Sequence, residues 1–218
     1  SDLAGQRAQV HNVGIGAERT DLALSRLERD VLSQRPEVVT VMYGTNDSWV
    51  DKGRDASRLT EAEYEANLRA IVARLREANI GVILMTPPCF GDGNPRNGLG
   101  EDPNLRLGRY AVLCRRVAAA MKVPLVDHFA RWVNRQRAGT PVQTLTTDGC
   151  HPNAEGHAEF IVRYAATRKS RAACFALFFH QRTPPGWPGN LVPEVAVQYA
   201  CCVPTVASFM FFTAKVHA

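Results

Sequence analysis

The sequence predicts an α/β fold in which a parallel sheet carries helices on both faces. Three stretches carry that expectation. Val38-Val39-Thr40-Val41-Met42-Tyr43 and the run from Ile80 to Met85 are apolar, of strand length and rich in β-branched residues, as strands buried on both faces are. Between them Tyr64, Leu68, Ile71, Val72 and Leu75 recur at helical spacing. A strand, a helix and a second strand at this separation make a crossover unit, which places its strands parallel.

The remaining elements follow the same alternation. Val10-His11-Asn12-Val13 reads as a short strand running into Gly14-Ile15-Gly16-Ala17. A helix is expected from Thr20 as cap, with Leu22, Leu24, Leu27, Val31 and Leu32 as its stripe and Pro36 beyond its end. A polar loop covers about residues 48–59. Thr60, with Glu63 three residues on, forms a capping box for the next helix. The long segment of about 87–104 is rich in Gly, Pro, Asn and Asp, and loops of that length usually have a task. A helix over about Leu105–Met121, a strand over Val123–Asp127 and a helix marked by Phe129, Trp132 and Val133 complete the pattern. The sequence shows no internal repeat.

Residues 1–167 read as one domain, long enough to enclose a sizeable core. The chain changes character near Arg168. Helical periodicity stops, and Pro184-Pro185-Gly186-Trp187-Pro188-Gly189, Cys201-Cys202 and Phe209-Met210-Phe211-Phe212 follow with almost no acids. Residues 168–218 are therefore expected to stand outside the fold. They also hold +4 of the net charge of +5, so the body is balanced and no basic face for nucleic acid is implied. No apolar run reaches the roughly 18–20 residues of a membrane span. The six cysteines, Cys89, Cys114, Cys150, Cys174, Cys201 and Cys202, show no paired metal-ligand spacing and read mostly as free thiols. No Asp/Glu/His cluster has metal spacing, no cofactor is expected, and neither compartment nor oligomeric state is legible.

In open α/β sheets ligands bind at the carboxyl ends of the strands. Gly14-Ile15-Gly16, Gly44-Thr45-Asn46-Asp47 and Thr86-Pro87-Pro88 all fall at that end. The first of these raises a dinucleotide fingerprint, but Arg19 stands where a third small residue is needed, and Tyr43-Gly44 rather than an acid ends the next strand. In the second, Gly44 allows a sharp turn and Asn46 can aim its amide at developing negative charge; an ordinary turn uses the same residues. Farther along, Asp148 precedes His151 by three residues, close enough for its carboxylate to reach the near ring nitrogen and leave the far one free as a base. A turn with a surface histidine fits the same letters. Pro152 suits the first turn of a following helix, whose apolar positions are Ala158, Ile161, Val162 and Ala165. His11, His128, His157 and His180 read as packing or surface residues. Cys150 adjoins His151, but neighbouring side chains point apart, which weakens a Cys–His nucleophile pair.

Taken together, Asn12-Val-Gly-Ile-Gly-Ala17, Gly44-Thr-Asn-Asp47 and Asp148-Gly-Cys-His-Pro152 resemble, in order and separation, three motif blocks of the SGNH hydrolases, the GDSL esterase/lipase family. The resemblance runs from about Asn12 to Tyr164. It implies a flavodoxin-like three-layer α/β/α fold and ester hydrolysis through a serine nucleophile. Asp148 and His151 then match the acid and base of the triad, and Asn46 the side-chain donor of the oxyanion hole. The backbone donor falls at Ala17, where many relatives carry glycine, or at the neighbouring Gly16. Asp47 beside Asn46, and Pro88, Cys89 and Phe90 on the long loop, are the candidates to contact substrate.

One block departs from the pattern: the family's Gly-Asp-Ser occurs nowhere in the chain. The expectation is a domain lacking its first strand and nucleophilic serine, with Leu3-Ala4-Gly5 as the end of a preceding helix and Ser1 too close to Asn12 to substitute. Such a chain is an ester hydrolase by kinship, inactive as it stands. The expected substrate is an acetylated carbohydrate, from the polar, Gly/Asn-rich loop, or a small ester, with lipid acyl chains second. A non-catalytic binding domain of the same fold is the alternative, and an unrelated flavodoxin-like nucleotide binder a third class.

Overall fold

The computed structural model describes residues 8–158, 208–209 and 211–216. The chain opens with β1 (Ala8–Asn12) and β2 (Ile15–Gly16), then α1 (Thr20–Asp30), a 3-10 turn (Leu32–Gln34) and β3 (Val38–Met42). The short α2 (Thr45–Ser48) and the long α3 (Glu61–Glu77) lead to β4 (Gly81–Thr86). Next come α4 (Pro103–Met121), β5 (Leu125–Asp127), α5 (His128–Arg137), a 3-10 turn (Val142–Leu145) and α6 (Ala154–Ala158). β6 (Ser208–Phe209) and β7 (Phe211–Val216) close the list.

β3, β4 and β5 pair in parallel, as the crossover pattern requires. One face of this sheet is sealed by α1, α3 and α4: Leu27, Tyr64, Leu68, Ile71, Val72, Leu75 and Val117 pack with Val39, Val41, Val82 and Leu84 in one cluster. Each large side chain of the α3 stripe is at most 1% exposed. The expected capping box is formed, with Glu63 N donating to Thr60 Oγ1 at 3.2 Å and Thr60 N to Glu63 Oε2 at 2.7 Å. Trp132 of α5, fully buried, and Thr40, Met42, Ile83 and Met85 show that the opposite strand positions are covered too.

Two local expectations are corrected. α1 is not capped by the Thr20 hydroxyl; Thr20 is its first residue and that hydroxyl is used elsewhere, as described below. Leu22 is 45% exposed, and the buried face runs instead through Ala23, Leu27 and Val31.

Among the described residues the main sheet has five strands, in the order β1-β7-β3-β4-β5. β7 lies between β1 and β3 and is antiparallel to both, from Ala8↔Val216 to Asn12↔Phe212 on one side and Val38↔Ala214 to Val41↔Phe211 on the other. β7, from the 168–218 segment, thus pairs on both sides, between β1 and β3. The physical reason is direct: a gap between two strands leaves two rows of unpaired backbone groups, and an extended segment satisfies both. β6 adds a second pairing, Ile15↔Phe209 and Gly16↔Ser208. The Leu3–Gly5 helix end, the apolar positions after Ala158 and Cys174, Cys201 and Cys202 lie outside the described residues; among those described, Cys89, Cys114 and Cys150 are free.

Candidate active site

Two residues past β3 stands Gly44, whose φ of +134° only glycine adopts readily, and a Cβ there would meet the Tyr64 hydroxyl at 3.3 Å. That hydroxyl donates to Tyr43 O at 2.9 Å and holds the strand end against α3. The chain turns at once into α2, which carries Asn46 and Asp47. Asn46 Oδ1 accepts from Arg58 Nη1 at 3.2 Å. Its Nδ2 is buried and has no hydrogen-bond partner among the described residues.

Asp47, expected to meet substrate, is fully buried. Its Oδ1 accepts from Thr20 N at 2.9 Å and Thr20 Oγ1 at 2.6 Å, which ties the start of α1 to the end of β3. Burial pushes its carboxyl above the ordinary range, against the lowering effect of the Thr20 donors. Asp47 is therefore a strut under Asn46. A second brace sits beside it: Arg26 Nε and Nη2 donate to the two carboxylate oxygens of Glu18 at 2.5 and 2.6 Å, and Tyr43 donates to Glu18 Oε2 at 2.6 Å. This buried group fixes the Gly14–Ala17 segment relative to the end of β3.

Ala17 follows β2 and has φ +59°, a left-handed conformation. A Cβ there costs about 1–2 kcal/mol relative to glycine. Ala17→Gly removes that strain but adds unfolded-state freedom worth about 0.4–1 kcal/mol. The expected net is a gain of about 0.5–1 kcal/mol, or about 1–4 °C in thermal midpoint for a chain of this size. A lowered midpoint in a thermal melt would refute the strain assignment.

Asp148 and His151 meet as expected. Asp148 Oδ2 bonds the ring Nδ1 of His151, and its Oδ1 accepts from His151 N at 2.7 Å and Cys150 N at 3.0 Å. Burial works to raise the Asp148 carboxyl, but the His151 N–H, the His151 ring and the Cys150 N–H outweigh it and hold it below the usual carboxylate range. His151 Nε2 is buried without a partner among the described residues. The loop is closed on itself: Thr147 N donates to His151 O at 2.8 Å and Gly149 N to Thr146 Oγ1 at 3.1 Å. Pro152 does not begin the helix. It bridges Thr146, and Asn153 takes the capping place, accepting from Gly156 N at 2.9 Å.

The segment after β4 joins the two halves. Trp49 and Phe90 are in ring contact at 6.0 Å, so it touches the Asn46 loop. Gly91 N and Asn94 Nδ2 both donate to Gly149 O at 2.8 Å, so it also holds the His151 loop. Pro88 and Cys89 are buried in this wall, and burial pushes the Cys89 thiol up to about 12. Burial likewise pushes Cys150 to about 12, so neither cysteine is poised as a thiolate. Among the described residues no group of His, Cys, Asp and Glu is arranged to hold a metal ion, and no helix is long and apolar enough to cross a membrane.

Sequence reading missed Glu18, Arg58, Gly91 and Asn94, and took Thr20 for a helix cap. Their partners lie 7 to 58 residues away, and no local pattern marks such pairs. Chemically, the arrangement pairs an oriented imidazole with an open nitrogen and a fixed amide with an open N–H.

The comparisons with known proteins show the family. Residues 2–159 match the GDSL-like lipase/acylhydrolase family. The chain is 31% identical over 155 residues to an acetylxylan esterase of Geobacillus stearothermophilus, covering 68% of this chain and 67% of that protein. It is 29% identical over 178 residues to the isoamyl acetate-hydrolyzing esterase 1 homolog of Rattus norvegicus, covering 74% and 68%. Among solved structures, the lipase/acylhydrolase from Enterococcus faecalis superposes with a TM-score of 0.53 at 27% identity, over 64% of this chain and 65% of that one. The acetylxylan esterase from Geobacillus stearothermophilus gives 0.54 at 26%, over 65% and 63%. The chain thus spans about two thirds of the length of these relatives. With motif order, strand-end placement and family match in agreement, this chain belongs to the GDSL-like lipase/acylhydrolase family.

Proposed function

We propose that this chain supplies the base, the orienting acid and the side-chain oxyanion donor of a serine ester hydrolase that removes acetyl groups, with acetylated carbohydrate as the first substrate class. One observation carries the reading: His151 Nε2 and Asn46 Nδ2 are both buried and unpartnered, while the opposite end of each group is held by a charged side chain. Buried polar atoms are normally satisfied. An acceptor and a donor left open at the same end of the sheet suit a proton to be taken and a negative oxygen to be held.

In this reading a serine hydroxyl attacks the ester carbonyl and His151 Nε2 takes its proton. Asp148 keeps the proton of the ring on Nδ1 and stabilises the imidazolium. Asn46 Nδ2 and the backbone N–H of Gly16 or Ala17 hold the carbonyl oxygen as it becomes negative. His151 then protonates the leaving alcohol, and water repeats the sequence on the acetyl-serine. The serine is the one component without its motif, since Gly-Asp-Ser is absent from the sequence.

One feature supports acetate as the acyl group: the names of both curated relatives given above specify acetyl esters. The missing motif favours a second reading, a binding domain without catalysis. The test is acetate release from acetylated xylo-oligosaccharides by the chain joined to an N-terminal strand carrying Gly-Asp-Ser, compared with a butyryl ester. Faster acetate release is expected; preference for butyrate would contradict the substrate class.

A further inference from the structure

We infer that Arg58 is a positioning residue that sets the direction of the Asn46 amide and strengthens its free N–H. The inference rests on the reading of Asn46 as an oxyanion donor. An amide side chain has two ends of opposite character, and only one of them serves an anion. A guanidinium carries donors alone, so the group facing Arg58 Nη1 at 3.2 Å must be the Asn46 oxygen. The nitrogen is then forced to the other side, where it is buried and open. With the amide turned over, the carbonyl oxygen would occupy that place and repel the anion that the nitrogen attracts.

Arg58 is itself held in one orientation. Its Nε donates to Asp51 Oδ2 at 2.9 Å and its Nη2 to Asp51 Oδ1 at 2.7 Å, a two-pronged pairing that leaves the Nη1 edge for Asn46. The side chain is 26% exposed, so its charge is only partly screened. A charge at the amide oxygen draws electron density from the nitrogen and makes its N–H a better donor, as in any chain of polarised hydrogen bonds. The loop does not depend on this side chain: Arg58 N donates to Trp49 O at 2.8 Å, Leu59 N to Asp47 O at 3.1 Å and Ser57 Oγ to Ser48 O at 3.0 Å. Removal of the guanidinium should therefore free the amide and leave its surroundings in place.

The experiment is a proton–nitrogen NMR spectrum of the full chain, in which the Asn46 side-chain pair is identified by its loss in Asn46→Asp. In Arg58→Met that pair should move to the position of freely rotating amides, while the backbone spectrum remains that of the folded protein. Arg58→Lys, which keeps a donor, should bring it back toward its original position. An unmoved pair in folded Arg58→Met overturns the inference. Should Arg58→Met not fold, Asp51→Asn is read in the same way, because it loosens the fork that aims Arg58. Ester hydrolysis by the chain joined to a strand carrying Gly-Asp-Ser reports on the other claim: a moved pair in the full chain without hydrolysis by the joined chain upholds the positioning role and refutes only the esterase reading.

Discussion

His151→Ala is expected to lower kcat for p-nitrophenyl acetate by about 10⁶-fold in a chain completed with a Gly-Asp-Ser strand, the scale on which a triad member fails when the proton has nowhere to go. The structure also orders the other two residues below it. In Asp148→Asn the carbonyl oxygen of the new amide should stay where Oδ1 now accepts the N–H groups of Cys150 and His151. The NH₂ then faces Nδ1, and a donor there drives the ring proton onto Nε2. That is the wrong tautomer for a base, and the expected loss is about 10⁴-fold. Asn46→Ala removes one oxyanion donor and leaves the base intact, so the loss should be about 10²–10³-fold in kcat, with KM little changed. A His151→Ala variant that keeps a tenth of the rate, or an Asn46 effect confined to KM, contradicts the assigned roles.

Acid should unfold this protein earlier than its carboxylates alone would. His128 is fully buried and His157 nearly so, and burial pushes their rings down to about 3 and about 4. Above pH 6.5 both are neutral in either state, and there is no cost. As pH falls below about 6.5 the unfolded chain takes up protons that the folded chain cannot, so stability drops by up to about 1.4 kcal/mol per pH unit for each ring. Between pH 6.5 and 4.5 the two together remove about 5 kcal/mol, comparable with the whole stability of many domains. Asp47 works in the opposite direction, because its raised carboxyl favours the folded state as acid is added. Asp148, Asp30 and Glu101, all depressed by their hydrogen-bond partners, lose their contribution only at lower pH. Denaturant midpoints at pH 7, 5.5 and 4.5 check this. A steep fall is expected, with about half the slope in His157→Gln; a flat profile would show that these rings titrate normally.

What could be read from the sequence was what is decided locally. The α3 stripe and its Thr60–Glu63 box follow from a 3.6-residue period and a three-residue reach, and both are formed. Asp148 and His151 are three residues apart, so a single turn settles their contact. Asn46 was legible from the glycine before it and the strand before that. The misreadings are all cases in which a distant group decides. Thr20 looked like a helix cap, but Asp47, 27 residues away, takes its hydroxyl. Asp47 looked like a cleft residue for the same reason. Pro152 suits the first turn of a helix, but the side chain of Asn153 begins α6. β7 is the longest-range case. Its residues have no helical or alternating pattern, and its place depends on the open edges of β1 and β3, about 170 to 210 residues away along the chain. Strand pairing at such separation leaves no local signal, since either edge would accept any segment able to extend.

The central claim is that Asn46, Asp148 and His151 form a working half of an ester hydrolase site and that the nucleophile is what these residues lack. The most direct measurement is the rate of p-nitrophenyl acetate hydrolysis by the 218-residue chain and by residues 1–167 joined to an N-terminal strand carrying Gly-Asp-Ser, which leaves the place between β1 and β3 to that strand. The account predicts a background rate for the first and enzymatic turnover for the second, abolished again by His151→Ala. Enzymatic turnover by the 218-residue chain itself, lost in His151→Ala, would contradict it, and would place the nucleophile on one of the chain's own residues; Cys150, Ser1 and Ser208, which pairs with Gly16, would be the first to mutate.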